Sequence, residues 1–179
     1  RYKIPAMKRG GRYIKDIIYG ANDGIITTFA IVAGVAGAGL GSRAIVFLGF
    51  ENLLADGFSM AASNYLGSKS EEDFIKTEYE DEQRELEADP GEERAELNRL
   101  LREHGYANED ARTLGDLIFK NKTFFTDLMM QEEFEVPSRA STWASTSALV
   151  TFFSFVIAGL IPVLPFLFLK NISSVFMYS

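Results

Sequence analysis

The sequence predicts an all-α protein in which membrane-spanning helices carry an inserted, water-soluble helical domain. Two observations support this fold class. Three stretches are apolar and long enough to cross a bilayer as helices, which requires about 20 residues. The charges are concentrated elsewhere, because residues 68–135 contain 21 of the 25 acidic and 9 of the 18 basic residues. The acidic segment argues against nucleic acid as a partner and favours cations.

The first predicted span covers residues 16–40, and Asp23 is the one acidic residue inside its apolar part. A carboxylate at that depth costs roughly 2.5–3.5 kcal/mol on insertion scales. We therefore favour an ion or proton path over a carboxyl that only hydrogen-bonds a neighbouring helix. Gly20 and Gly24 flank Asp23 at a spacing that lets another helix approach closely, and we expect that helix to be the second span. The same spacing recurs among Ala33, Gly37 and Gly41.

The second predicted span, residues 44–66, has polar and thioether side chains on one helix face. Their spacing along the sequence is that of one helix face. These residues are Asn52, Asp56, Ser59, Met60 and Ser63. A polar face inside a bilayer must meet protein or water, so we expect it to face Asp23. Met60 shares this face with a carboxylate, which favours a role in the path over simple packing. Glu51 lies about 100° around the helix from Asn52.

The second span is predicted to continue without a break as one helix to about residue 88. Asp89 then caps a new helix whose first residue is Pro90. That helix is expected to end near residue 104, where Gly105 suits a left-handed cap. Two further helices are predicted over residues 108–120, capped by Asn108, and over residues 123–135, stopped by Pro137.

The carboxylates of this acidic segment recur on single helix faces. Three sets of side chains are spaced by three, four or seven residues, so that each set lies on one face of its helix. They are Glu78, Glu82 and Glu85, then Glu93 and Glu96, then Met129 and Glu133. A solvated acidic face is the simpler explanation of such runs. Because like charges at these spacings repel, bringing the three faces together would require bound cations.

The available ligand types limit the metal. The chain contains no cysteine and one histidine, His104, so thiolate and multi-histidine sites are excluded. Carboxylates alone suit calcium, magnesium or manganese, and a thioether shifts the preference toward ferrous iron and other first-row metals. The sequence thus favours a weak, exchangeable site for Fe²⁺ or Mn²⁺.

The third predicted span follows Arg139 and includes the uncharged residues 148–169, which Pro162 and Pro165 are expected to kink or end early. Of the 18 lysines and arginines, 16 lie in the first 15 residues or in residues 68–139, so both regions are predicted to be cytosolic. The predicted organisation is a basic arm (1–15), two spans (16–67), an acidic helical domain (68–137), and a third span with a tail (138–179).

Three runs of sequence resemble the vacuolar iron transporter family. They are Tyr19-Gly20-Ala21-Asn22-Asp23-Gly24, Asn52-Leu53-Leu54-Ala55-Asp56-Gly57-Phe58-Ser59-Met60, and Tyr65-Leu66 with Ser70-Glu71-Glu72-Asp73. The resemblance implies a homodimer with five spans per chain, three of them visible here, and a cytosolic helical metal-binding domain after the second span. It also implies that Asp23 and Met60 lie on the translocation path. Some members have a glutamate where this chain has Asn52, so Glu51 and Asp56 are the candidate path acids.

The family resemblance further implies the ligands of the metal-binding domain and the function. The implied ligands are Glu82, Glu85, Glu93, Glu96, Met129 and Glu133. The implied function is proton-coupled transport of Fe²⁺, and also Mn²⁺, out of the cytosol into a vacuole or across the cell membrane. One alternative is a membrane-tethered di-iron carboxylate oxidase, although His104 lacks the glutamate three residues earlier that such sites use. A membrane anchor with an acidic interaction module is the other alternative.

Overall fold

The structure is a computed structural model that describes residues 11, 13–133 and 143–168. All regular elements in these residues are α-helices, as predicted. They are α1 (Ile14–Gly37), α2 (Ser42–Ala88), α3 (Pro90–Glu103), α4 (Asn108–Phe119), α5 (Lys122–Glu133), α6 (Ala144–Gly159) and α7 (Leu164–Phe168). The chain divides into two compact units. Unit 1 includes the described residues up to Lys69 and from Trp143 onward, and unit 2 includes those between.

Two of the described helices, α1 with 24 residues and α2 with 47, are long and apolar enough to cross a membrane by length and composition. The third apolar helix, α6, has 16 residues and falls short of the roughly 20 that a span requires. Its helical backbone ends at Gly159, and turns around Pro162 separate it from α7. The prolines therefore interrupt this segment as expected, and a third complete span remains a prediction.

The predicted helix boundaries in the acidic segment hold at most positions. Helix α2 continues to Ala88, and the Asp89 carboxylate accepts hydrogen bonds from two backbone amides at the start of α3, each at 3.1 Å. Gly105 follows α3 in the left-handed region, at φ +94°. Asn108 is the first residue of α4 and does not cap it, which corrects the prediction. The predicted stop at Pro137 lies outside the described residues, as do residues 1–10 and 12 of the predicted basic arm (1–15).

In unit 1, α1 packs most closely against α6. A Cβ at Gly20 would lie 2.6 Å from the backbone oxygen of Thr151, so only glycine permits this approach. Gly24 lies equally close to the backbone of Phe155. Gly20 and Gly24 of the first span thus allow the close approach of α6. The sequence had predicted that the second span would approach them, so this prediction is corrected. The later glycines Gly37 and Gly41 border open space and make no such contact.

Unit 2 has its own hydrophobic core, formed by side chains of α2, α3, α4 and α5. Its fully or largely buried members are Leu86, Leu97, Leu101, Ala111, Phe125 and Met129. Glu82 and Glu93 each lie four residues before one of the core leucines, on the same helix face. The packing that buries the leucines therefore also draws these two carboxylates out of water.

Candidate metal centre and ion path

Glu82 on α2 and Glu93 on α3 are buried, with 3% and 7% of their surface exposed. They are close enough to share a hydrogen bond. Burial raises the pKa of Glu82 to about 8, and the charges of Glu93, Glu133 and Glu85 add to this effect. The hydrogen bond between them also raises the pKa of Glu82 and lowers that of Glu93, so a proton on this pair is favoured on Glu82.

Three further carboxylates act on this pair. Burial first, then the charges of Glu85, Glu96 and Glu133, raises the pKa of Glu93. Glu133 is exposed on α5, yet partial desolvation followed by the charges of Glu96 and Glu85 raises its pKa as well. The structure thus places five of the predicted ligands from three helices within electrostatic reach of one another.

These carboxylates do not form a closed coordination shell. In the part of the chain that the structure describes, no three acidic or histidine side chains are arranged as a metal ion would require. Arg99 instead holds Glu96 through a 2.8 Å ion pair. One oxygen of Glu82, Oε1, is buried without a hydrogen-bond partner among the described residues. A cation would satisfy a buried acceptor that lacks a donor, so the chemistry of these oxygen donors suits a divalent ion, although their arrangement here is not that of a coordination shell.

Met129, the predicted soft ligand, is fully buried in the core of unit 2 and packs with Leu86 and Phe125. In this structure Met129 therefore acts as a packing residue of the hydrophobic core. The neighbouring Met130 is also fully buried. Met129 lies one turn before Glu133 on α5, which leaves a ligand role for its sulfur as a proposal.

In unit 1, Asn52 of α2 contacts α1. Its amide Nδ2 donates to the hydroxyl oxygens of Thr27 and Thr28, at 3.3 and 3.4 Å. At Asn52 the polar face of the second span thus meets the first span, and its predicted position facing Asp23 remains a prediction. Glu51, the neighbouring residue, is exposed and lies about 100° away around the helix.

A second polar cluster lies about three turns further along α2, and the sequence interpretation missed it. Nδ2 of Asn64 donates to Asp16 Oδ1 of α1 at 3.1 Å and to Ser147 Oγ of α6 at 3.3 Å. It also donates to the hydroxyl of Thr151, and Ser147 Oγ donates to Asp16 Oδ2 in a short hydrogen bond. The available signal was the position of Asn64, four residues after Met60 on the polar face.

The two clusters set the register of α1 against α2. Because Asn52 meets Thr28 and Asn64 meets Asp16, the helices run antiparallel, and the level of Asp23 corresponds to residues 56–57 of α2. Met60 then lies about one turn, or roughly 5 Å, from that level. Asp23, Asp56 and Met60 are all half-buried. They occupy the interval between two hydrogen-bonded clusters.

Comparison with known proteins agrees with the resemblance noted from the sequence motifs. The sequence model of the VIT family matches residues 14–179. A vacuolar iron transporter of Toxoplasma gondii is 37% identical over 162 residues, which are 87% of this chain and 52% of the relative. The Plasmodium falciparum vacuolar iron transporter is 37% identical over 83% of this chain and 56% of its own length. Vacuolar iron transporter 1 of Oryza sativa is 32% identical over 90% of this chain and 64% of its own length.

The chain thus spans between about half and two thirds of the length of these relatives. The matched region covers α1 to α7 and includes every candidate site residue. On the extent of the family match and of these identities, the chain belongs to the VIT family.

Proposed function

We propose that the full-length protein transports Fe²⁺, and Mn²⁺ less specifically, out of the cytosol in exchange for protons. The observation that supports this most directly is the buried pair Glu82–Glu93, whose pKa values are raised by burial and by surrounding acidic side chains that would also attract a cation. The names of the relatives support iron as the cargo. We place the protein in a vacuolar or cell membrane, working as a homodimer with unit 2 on the cytosolic side.

In this mechanism unit 2 captures the cation and releases protons. An arriving Fe²⁺ replaces the proton on Glu82 and satisfies the unpartnered Oε1. Glu85, Glu93, Glu96 and Glu133 supply further oxygen ligands, and Met129 supplies a sulfur that favours iron over magnesium or calcium. Since ligands must be deprotonated to bind metal, occupancy depends on pH and capture releases protons.

Unit 1 provides the path through the membrane. Asp23 is a half-buried carboxylate on an apolar helix, close to the level of Asp56 and Met60 on α2. A carboxyl in that setting is neutral when protonated and charged when it faces a cation. It can therefore take the metal from one side of the membrane and a proton from the other, which is what exchange requires.

The test is uptake of Fe²⁺ into sealed vesicles that contain the full-length protein, driven by an imposed pH gradient under anaerobic conditions. Asp23→Asn keeps the size of the side chain and removes its charge. We expect it to abolish uptake while cation binding by unit 2 is unchanged. Asp110→Asn is the matched control, because this exposed acid of α4 lies outside both sites, and it should transport at the unmutated rate.

Met60→Ala separates the sulfur from the charge. We expect slower Fe²⁺ uptake with an unchanged ratio of protons to iron, because the carboxylate that couples them is intact. Vesicles with Asp23→Asn that move iron and protons at the unmutated rate would reduce Asp23 to a structural hydrogen-bonding group and exclude the proposed path.

A further inference from the structure

Asn64 is a contact point for three helices of unit 1. Its amide nitrogen lies within hydrogen-bonding distance of Asp16 on α1 and of Ser147 and Thr151 on α6. The amide oxygen accepts a hydrogen bond from the Ser68 hydroxyl at 3.2 Å, which fixes the orientation of the amide. Ser147 and Thr151 are buried, with 4% and 2% of their surface exposed. The apolar helices of unit 1 therefore enclose a polar cluster around Asn64.

The number of donors and acceptors around Asn64 is unequal. A side-chain amide nitrogen carries two hydrogens, and here three oxygens surround it. One acceptor is always short of a full hydrogen bond, so the Asp16 carboxylate competes with the two hydroxyls. If a cation binds Oδ1 of Asp16, the amide retains Ser147 and Thr151 as partners, and the Ser147 hydroxyl can keep its hydrogen bond to Oδ2. A cation at Oδ1 therefore displaces only one of the hydrogen bonds that hold this carboxylate.

The position of Asp16 suits a role in the path. It precedes Asp23 by seven residues on α1, which is two helical turns and nearly the same helix face. Asn64 follows Met60 by four residues on α2, again one turn along the same face. The cluster lies at the end of unit 1 from which the chain passes into unit 2.

We propose that Asn64 is a positioning residue for transport, which orients the Asp16 carboxylate as a cation-accepting group on the path and ties that orientation to α6 through Thr151. Asp16 makes the contact with the cation, and Asn64 acts through Asp16. This inference rests on the proposed function and adds to it a second carboxylate, a positioning amide and a role for α6.

The experiment is a double-mutant cycle on the full-length protein in the same vesicles. Asn64→Leu keeps the approximate size and removes both donors, and Asp16→Asn removes the charge. Each should lower the initial rate of Fe²⁺ uptake by about 10- to 100-fold, the range expected for losing a hydrogen bond to a charged group. The double variant should be no slower than Asp16→Asn alone, because Asn64 then has no carboxylate left to orient.

Two further variants separate positioning from simple structural support. Exchanging the groups, as Asp16→Asn with Asn64→Asp, restores one amide and one carboxylate across the same contact and should recover part of the uptake. Thr151→Val removes one acceptor on α6 and should slow uptake several-fold. Its matched control is Thr146→Val, an exposed threonine of the same helix, which should have no effect.

The outcomes distinguish this inference from the proposed function. Cation binding by unit 2 should be unchanged in all variants. If unmutated vesicles move iron and the effects of Asp16→Asn and Asn64→Leu multiply, or the exchanged pair is no better than either single variant, the positioning role is wrong while the proposed function stands. If the unmutated protein moves no iron under a pH gradient, both fail.

Discussion

The two units treat their buried polar groups in opposite ways. In unit 1 the carboxylate of Asp16 faces donors, because Asn64 and Ser147 both donate to it. In unit 2 the carboxyl of Glu82 faces Glu93 and has one oxygen without a hydrogen-bond partner in the part of the chain that the structure describes. Pairing acceptors with donors produces a closed structure that is stable by itself. Placing acceptors against acceptors leaves a structure that only a proton or a cation can complete, and this difference is the basis of our proposal that unit 2 captures the ion first.

The strongest test of this contrast is the pH dependence of unit 2. Glu82 has its ordinary pKa near 4.5 when unfolded and about 8 when folded, so the folded state binds more protons between these values. Its contribution to stability is complete below about pH 4.5 and is lost as the pH rises toward 8. Without metal, the melting temperature of unit 2 should therefore fall across this range in calorimetry of the full-length protein.

A divalent cation should reverse that loss, since it replaces the proton. At about 100 times its dissociation constant, a ligand adds about 2.7 kcal/mol to the free energy of unfolding, which for a small domain is roughly 10–20 °C. The increase should be larger at pH 8 than at pH 5. If Mn²⁺ and anaerobic Fe²⁺ leave the melting temperature unchanged at pH 8, unit 2 is a solvated acidic module and the contrast with unit 1 disappears.

A smaller effect is expected from Glu82→Gln, which makes the site resemble the donor–acceptor pairs of unit 1. The amide can donate to Glu93 at every pH, so the metal-free protein should be more stable at pH 8 by roughly 1 kcal/mol, the typical net value of one hydrogen bond. The pH dependence between 4.5 and 8 should flatten, and stabilisation by metal should be lost. Glu87→Gln, at an exposed position of the same helix, is the control and should change neither quantity.

The smallest expected effect concerns the choice of metal. Met129→Leu conserves volume in the core, so its cost in stability should be below about 1.5 kcal/mol. Binding of Fe²⁺, measured by calorimetry, should weaken by a larger factor than binding of Mg²⁺ or Ca²⁺, because only the softer ion gains from the sulfur. Met130→Leu changes an equally buried neighbour and should weaken no metal selectively. An equal loss for all metals in Met129→Leu would assign the residue to packing alone.

The sequence predicted the features that depend on local signals. Asp89 with Pro90 marked the start of α3, and the lack of any strong breaker around Gly67 marked the continuity of α2. The spacing of the carboxylates likewise placed Glu82 with Glu85, and Glu93 with Glu96, on single helix faces, while the family resemblance implied their role as ligands. Local patterns of this kind need only one helix to be interpreted.

The features that depend on which helices meet were not predictable in this way. Gly20 and Gly24 showed that some backbone would approach, but the sequence pattern of α1 is equally compatible with α2 and α6. Asp16 appeared to be an ordinary residue at the start of a span, since its partners Asn64 and Ser147 are 48 and 131 residues away. The burial of Glu82, which raises its pKa, could likewise not be predicted, because it arises from packing between helices.

The close approach of α1 to α6 has a consequence for biosynthesis. More than 100 residues separate the end of α1 from the start of α6, and at roughly 5–20 residues per second the ribosome needs about 5–20 s to make them. During that interval no α6 is present to pack against Gly20 and Gly24, and Asp16 lacks its hydrogen bond from Ser147. The newly made α1–α2 hairpin is therefore an incompletely packed intermediate, and it is exposed to cellular quality control until α6 is made. Substitutions in α6 that delay docking should lower the yield of protein even where they leave the structure of the finished protein unchanged.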